Sequence, residues 1–344
     1  VVERGLLSLG DHLADPTTGR RAGQVERYRQ LAGSAVLAEQ AGFDVFGVGE
    51  HHFSDYIVSA PELVLAHAAA RTGRIVLGTS VTLLANADPV RQAETIATLD
   101  VLSGGRAEMT FARGVSEATA RAFGVADLDE LRARFEEYLR LVLRLLTEDR
   151  VTWSGRFRAP LDGVRIEPRP VQRPHPGLWV GGGLSAVSAD LAAALGLPLM
   201  LPSLFRWPGD YRALVDRYRR RSEAVGHRPR VGFPSYVHVA ATSQQARTRW
   251  RPYLEAYRDF ARDLRGGAGR ALDYERLLEG PAVCGSPAQV AERLADIDDL
   301  LGLDRHLVLM DAGALPDALY RDALDLMASD VLPALRARDR TPAG

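Results

Sequence analysis

The residues of this chain that could do chemistry sit in a few short strings. Glu50-His51-His52-Phe53 sets a carboxylate and two imidazoles side by side, directly after Gly49. Imidazole titrates near neutrality, so such a string suits general acid–base work. Neighbouring side chains in extended backbone point to opposite faces. One histidine should therefore face a pocket while the other packs and hydrogen-bonds. Ala112-Arg113-Gly114 offers a guanidinium beside a glycine, apt for an anion and equally for a surface salt bridge. Gly181-Gly182-Gly183-Leu184-Ser185 runs successive amides into a helix start, an arrangement that cradles phosphate, although glycines also occur in plain βα turns. Gly78-Thr79-Ser80-Val81 carries small side chains that let a flat ligand approach the backbone; a tight turn explains them as well. Arg132, near the start of a long helix, supplies a second cation.

Composition removes much else. The 344 residues include 43 Lys+Arg, and every one of these is an arginine. Without lysine there is no Schiff-base chemistry, pyridoxal phosphate anchor or P-loop lysine. One cysteine, Cys284, excludes an internal disulfide and any multi-cysteine metal site. Cys284 precedes a helix, which could lower its pKa; a packed small residue is the plainer reading. His12, His175, His227, His238 and His306 lack metal-ligand spacing, and His67, among alanines, reads as a buried histidine. No G-x-S-x-G occurs, so a hydrolase serine has no support. A net charge of -1 argues against nucleic acid. No apolar run nears the roughly 20 residues of a membrane span, and the first residues do not read as a signal peptide, so the expectation is a cytoplasmic protein away from membranes.

The elements that must position these strings alternate. Strands are expected at Gly5–Leu9, Val45–Val48, Ile75–Thr79, Ala107–Ala112, Leu178–Val180, Leu197–Leu201, Val231–Val239 and His306–Met310. Helices follow them, including Gln24–Ala41 closed by Gly42, Pro61–Arg71, Pro89–Leu102 capped by Asp88, and Leu131–Leu146. The last has Leu131, Phe135, Tyr138, Leu139, Val142, Leu145 and Leu146 on one stripe. Two segments break the rhythm: a hairpin or loop insertion over 151–173, and a Gly/Arg-rich stretch over 265–270 that looks mobile. Eight strands each followed by helix predict a single (β/α)8 TIM barrel over residues 1–344, with insertions, in which strand C-termini carry the site. An open doubly wound sheet is second, and no G-x-G-x-x-G follows the first strand to support it.

In order along the chain, several strings make the sequence recognisable. These are Ala41-Gly42-Phe43-Asp44, Glu50-His51-His52-Phe53, Asp88-Pro89-Val90-Arg91-Gln92-Ala93-Glu94, Leu99 to Arg106, Ala112-Arg113-Gly114, Ala122-Phe123-Gly124, Gly196 to Met200 and Gly285-Ser286-Pro287. Together they resemble the bacterial luciferase-like flavin monooxygenases over nearly the whole chain, the luciferase alpha subunit among them. The resemblance implies the same barrel, with reduced FMN delivered by a separate NAD(P)H-dependent flavin reductase. O2 is the co-substrate, and a C4a-(hydro)peroxyflavin oxygenates an organic, secondary-metabolite type of substrate. It implies His51 as the catalytic histidine, supported by Glu50 and His52 and titrating near working pH. Arg113 and Arg132 become flavin-phosphate ligands, with Arg134 the alternative to Arg132. Gly181, Gly182, Gly183, Leu184 and Ser185 become the phosphate turn. Thr79, Ser80 and Val81 fall where the family has a non-proline cis peptide under the isoalloxazine. The resemblance also extends the Gly/Arg-rich stretch to a mobile lid over about 265–280.

Ala112 replaces the reactive cysteine that luciferases carry beside the flavin, and glycine replaces an acidic residue of their phosphate turn, which puts light emission in doubt. Two rivals remain open at this point: an oxidoreductase using the deazaflavin coenzyme F420, and a non-catalytic flavin-binding protein. Small residues Ala66, Ala68, Ala69, Ala93 and Ala97 on two helices, with the resemblance, give a twofold homodimer as the expected assembly.

Overall fold

In a computed structural model, described here for residues 1–114, 116–183, 185–202, 205–264 and 272–340, the alternation closes into a ring. Eight parallel strands form it: β1 (Glu3–Ser8), β2 (Val45–Val48), β3 (Val76–Thr79), β4 (Ala107–Ala112), β5 (Gly177–Gly181), β6 (Leu199–Met200), β7 (Val231–Val239) and β8 (Arg305–Leu309). Each pairs with the next, and β8 returns to β1 through Glu3↔Arg305 to Leu7↔Leu309. This is the (β/α)8 barrel. Its strands are buried on both faces and accordingly rich in Val, Leu and Phe.

β7 is the long member. Its lower part pairs with β6 and with β8 over Gly232–Tyr236, while Tyr236–Val239 pairs with an accessory strand, Ala282–Gly285. That strand is not among the eight that the sequence predicts. The insertion is a two-stranded antiparallel hairpin, Val151–Trp153 with Leu161–Val164.

The helices start and stop where local chemistry dictates. Helix Pro89–Ser103 begins at Asp88, whose Oδ1 accepts from Val90 N at 2.9 Å and Arg91 N at 3.2 Å, with Pro89 at the first turn. Helix Gln24–Ala41 ends on Gly42 in the left-handed region at φ 87°. The long helix runs Leu128–Thr147, three residues earlier than its apolar stripe implies, because Asp127 caps it. The closing helical segment is interrupted once. After Asp317–Leu326 a π turn spans Met327–Val331, and helix resumes over Leu332–Arg340. Pro333 lacks the N–H that would bond four residues back, and the widened turn precedes it.

Two expectations need correction. His67 lies on the outer face of helix Pro61–Ala69 and is exposed, because Val64, Leu65, Ala68 and Ala69 take the buried face. Ala68, Ala69, Ala93 and Ala97 are buried within this chain, so those small residues serve the packing of the two helices. Of the expected lid, 265–271 lies outside the described residues. Tyr274–Glu279 is helical, with Tyr274 and Leu277 buried. Among the described residues no helix is long and apolar enough to cross a membrane.

Beneath the site, the N-terminal ends of the strands are closed by ion pairs. Arg305 bonds both oxygens of Glu108 and reaches Glu3 Oε2 at 2.6 Å, with its guanidinium 4.5 Å from the Trp179 ring centre. Gly177 has no side chain because Glu108 fills its space: a Cβ there would lie 2.8 Å from Glu108 Cγ.

Candidate active site

The C-terminal ends of β2, β3, β4 and β5 are consecutive around the ring, so the strings read from the sequence meet at one mouth. The register sets their order: Val48 lies beside Thr79, Gly78 beside Glu108, and Phe111 beside Val180. Continuing each strand by one to three residues brings His51, Val81, Arg113 and Gly182–Gly183 to the same rim.

At β2, the two imidazoles divide as expected. His52 Nε2 bonds Glu50 Oε1 at 2.6 Å, and its ring meets Phe123 edge-on with centroids 4.8 Å apart. His51 instead stacks on Tyr56, centroids 3.8 Å apart and planes 24° from parallel, and its buried Nδ1 has no hydrogen-bond partner. Burial, and secondarily the neighbouring His52, push the His51 pKa down to about 4. The expected value near working pH is therefore corrected: at neutral pH this imidazole is uncharged. Glu50 and His52 bond each other and do not bond His51. Glu50 holds the next strand end, taking Leu83 N–H at Oε2 (2.8 Å) and donating its own N–H to Val81 O (2.9 Å).

The segment after β3 contains a cis peptide at Ser80–Val81. Ser80 N donates to Val48 O at 2.7 Å, and Gly49 leaves room for the Ser80 carbonyl, which a Cβ would approach to 3.0 Å. Thr79 is buried, and its hydroxyl accepts from Thr110 N–H within the barrel wall. Glu62, which sequence reasoning missed, accepts from Thr82 Oγ1 at 3.0 Å and Gln92 Nε2 at 3.1 Å. Burial first, and Glu50 nearby, raise its carboxyl pKa.

Val81, Ala112 and Gly181 form a flat step. A Cβ on Gly181 would lie 3.0 Å from Ala112 Cβ and 3.2 Å from Val81 Cγ1, so only glycine leaves Ala112 and Val81 uncrowded there. Beyond the step, Arg113 has no ion pair or hydrogen bond among the described residues. Burial and the like charge of Arg132 lower its pKa. Two neighbouring guanidiniums repel, and an anion between them would relieve that repulsion. Arg132 reaches only the exposed Asp129, at 3.2 Å. Arg134 lies against the Tyr138 ring at 5.5 Å with a buried, unpartnered Nε. Gly183 faces open space, and Ser185 heads helix Ala186–Leu195 without capping it by a side-chain bond. Leu184 lies outside the described residues. The Gly182 N–H is spent on Met200 O at 2.8 Å, so the donor set that fits a phosphate is guanidinium, hydroxyl, helix N-terminus and the Gly183 amide.

Opposite stands an aromatic wall that no short string announces. Tyr56, Tyr236 and Tyr257 are buried behind half-buried Phe205 and Phe260, and Tyr56 Oη and Tyr257 Oη are 2.7 Å apart. Below it, Arg27 bonds Asp311 Oδ2 at 2.8 Å and lies 3.6 Å from Asp11 Oδ1. Burial drives the Asp11 pKa up to about 6, against the opposing pull of Arg27. Asp11 Oδ2 also accepts the N–H groups of Gly313 and Ala314. Cys284 is not activated: burial pushes its thiol up to about 12.

The model of the luciferase-like monooxygenase family matches residues 2–304. The chain belongs to that family. Among relatives of this luciferase-like monooxygenase, the Sinorhizobium fredii protein y4vJ, itself uncharacterized, is 36% identical over 156 residues. That alignment spans under half of each partner, 45% of this chain and 44% of the relative. The alkanal monooxygenase alpha chain of Photorhabdus luminescens is 24% identical over 92% of this chain and 95% of its own length. The FMNH2-dependent dimethylsulfone monooxygenase of Pseudomonas putida is 23% identical, covering 92% and 90%. Among solved structures, the monooxygenase RslO1 from Streptomyces bottropensis superposes with TM-score 0.86 at 29% identity, covering 96% of this chain and 99% of that one. The fold is shared further with a coenzyme F420-dependent tetrahydromethanopterin reductase of Methanopyrus kandleri, at TM-score 0.73, 18% identity, and 97% and 99% coverage.

Proposed function

We propose that this luciferase-like monooxygenase binds reduced FMN and uses O2 to oxygenate an uncharged organic substrate. The observation that carries the reading is Arg113, a cation without an anion among the described residues and close enough to Arg132 to feel its charge, beside open Gly183 and Ser185. Arg113, Arg132, the Gly183 amide and Ser185 would hold the flavin phosphate. The flat step of Val81, Ala112 and Gly181 would support its ring system. Bound reduced flavin supplies the electrons that activate dioxygen.

The remaining work falls to this chain's own groups. Glu50 fixes the position of Val81 and Leu83. Tyr56, stacked on His51, fixes the plane of the imidazole. Held neutral, His51 can accept a hydrogen bond or a proton at its unpartnered Nδ1. The aromatic wall keeps water away from the reacting centre. A separate NAD(P)H-dependent flavin reductase would supply the cofactor. Exposed Leu63, Val101 and Leu102, on helices Pro61–Ala69 and Pro89–Ser103, favour a homodimer through that face; sedimentation at low concentration tests it.

Likeness of fold to a coenzyme F420-dependent reductase keeps that cofactor as the second reading. Titrating the protein with FMNH2 and with reduced coenzyme F420, then admitting oxygen, decides between them. FMNH2 should bind tightly and oxygen be consumed only in its presence; tight binding of F420 with oxygen-independent turnover would reverse the assignment.

A further inference from the structure

We propose that the mouth is built to seat a flat, uncharged aromatic ring system against Phe205, Phe260 and His51; the proposal rests on the mouth being the active site. Two stacks make this wall. His51 lies on Tyr56 at 3.8 Å, and Phe205 lies on Tyr236 at 4.4 Å with planes 18° apart. In each stack the tyrosine is buried and the ring in front of it is half-buried. Tyr257 is wedged between the stacks, edge-on to Tyr56 at 6.5 Å and to Phe205 at 6.0 Å. Phe260 tilts onto Tyr56 at 4.9 Å, closing the corner.

The elements are distant in sequence: the loop after β2, the loop after β6, β7 itself, and helix Ser243–Asp263. Six rings from four elements therefore converge on one surface, with the half-buried ones in front. Aromatic faces and edges reward a planar π partner beyond the area it buries, whereas a methylene chain gains only from area. Charge is not solicited here. Tyr56 and Tyr257 bond each other, Arg27 is held by Asp11 and Asp311, and Arg258 is held by Asp259 and the Leu272 carbonyl. Among the described residues the cations near these rings that lack a partner are Arg113 and Arg206, and neither is buried against them. Recognition on this side is by shape and stacking.

The test is calorimetric titration of the full chain, flavin-free and FMN-loaded, with 2-naphthol, 2-naphthoate and decanal. Expected is tightest binding of 2-naphthol, with weakening of roughly two- to tenfold in Phe205→Leu and in Phe260→Leu while decanal is unaffected. Phe205→Tyr, which keeps the ring, should bind 2-naphthol like the parent. Decanal or 2-naphthoate binding as tightly as 2-naphthol in the parent protein would overturn the proposal, independently of how any variant folds. So would leucine variants that weaken all three probes equally. Flavin titration of the same samples separates the two readings: naphthol binding without flavin binding sinks the cofactor assignment alone. Flavin binding with a preference for decanal sinks the aromatic one alone.

Discussion

The two ends of the barrel treat their charges in opposite ways. At the N-terminal end the guanidiniums are bound up. Arg305 is shared by Glu108 and Glu3, Arg4 reaches Asp298 at 2.6 Å, and Arg106 donates to Ser103, Thr72, Ile75 and Ala69. At the C-terminal end Arg113, Ser185 and His51 Nδ1 are left without partners among the described residues. An unmade hydrogen bond on a buried group costs free energy. Pairing most guanidiniums of the floor while Arg113 and His51 Nδ1 stay open at the mouth marks where the molecule expects a ligand.

The comparison breaks most readily at Arg305. Arg305→Met leaves the buried Glu108 without its cation, while Glu3 keeps Arg230 at 3.1 Å, and should cost about 3–5 kcal/mol in urea unfolding. A loss under about 1 kcal/mol would mean that the floor does not hold the barrel.

A pH effect comes next. His238 is buried on β7 against Trp250, both ring nitrogens are unpartnered, and burial, helped by Arg249, pushes its pKa down to about 4. Because the folded value lies below the unfolded one, the unfolded chain binds the proton more readily. Stability is then fully present above about pH 6.5 and declines as pH falls towards 4, by up to about 3 kcal/mol from this residue. His51 acts with the same sign. His238→Phe should flatten the curve between those limits; an unchanged acid limb would remove His238 from the account.

At the mouth the signs reverse, with function changing and stability holding. His51→Ala should lower product formation by about a hundredfold or more while FMN affinity stays within about twofold. Unchanged turnover would end its candidacy. Arg113→Ala should weaken FMN by roughly 10- to 100-fold, as for a lost charge-assisted bond, without lowering the flavin-free melting temperature. A fall in that temperature would show Arg113 to be structural.

Much of this was legible in the chain. The apolar runs at Val45–Val48, Ala107–Ala112 and Val231–Val239 are barrel strands with the boundaries that the sequence predicts. The strings at their C-terminal ends point to the mouth because a parallel barrel gathers those ends by construction. What escaped depended on distance. Nothing near Phe205, Tyr236 or Tyr257 announces that they touch, since the loop after β6, a strand and a later helix meet only once the ring closes. The pKa of His51 likewise depends on burial beneath Tyr56 and on which histidine Glu50 binds. Ala282–Gly285 was missed because four residues ending in Cys-Gly before Ser-Pro look like a turn. Only the upper half of β7 makes them a strand.

That change of partner along β7 bears on how the molecule breathes. Amides of Val231–Tyr236 sit inside the closed ring and should exchange with deuterium only on global unfolding. Those of Val237–Val239 are paired to a four-residue strip and can be released with it, leaving the ring shut. The aromatic wall meets that boundary at Tyr236, the residue common to both partners. Opening of the mouth would then register as a patch of fast-exchanging amides in an otherwise silent barrel.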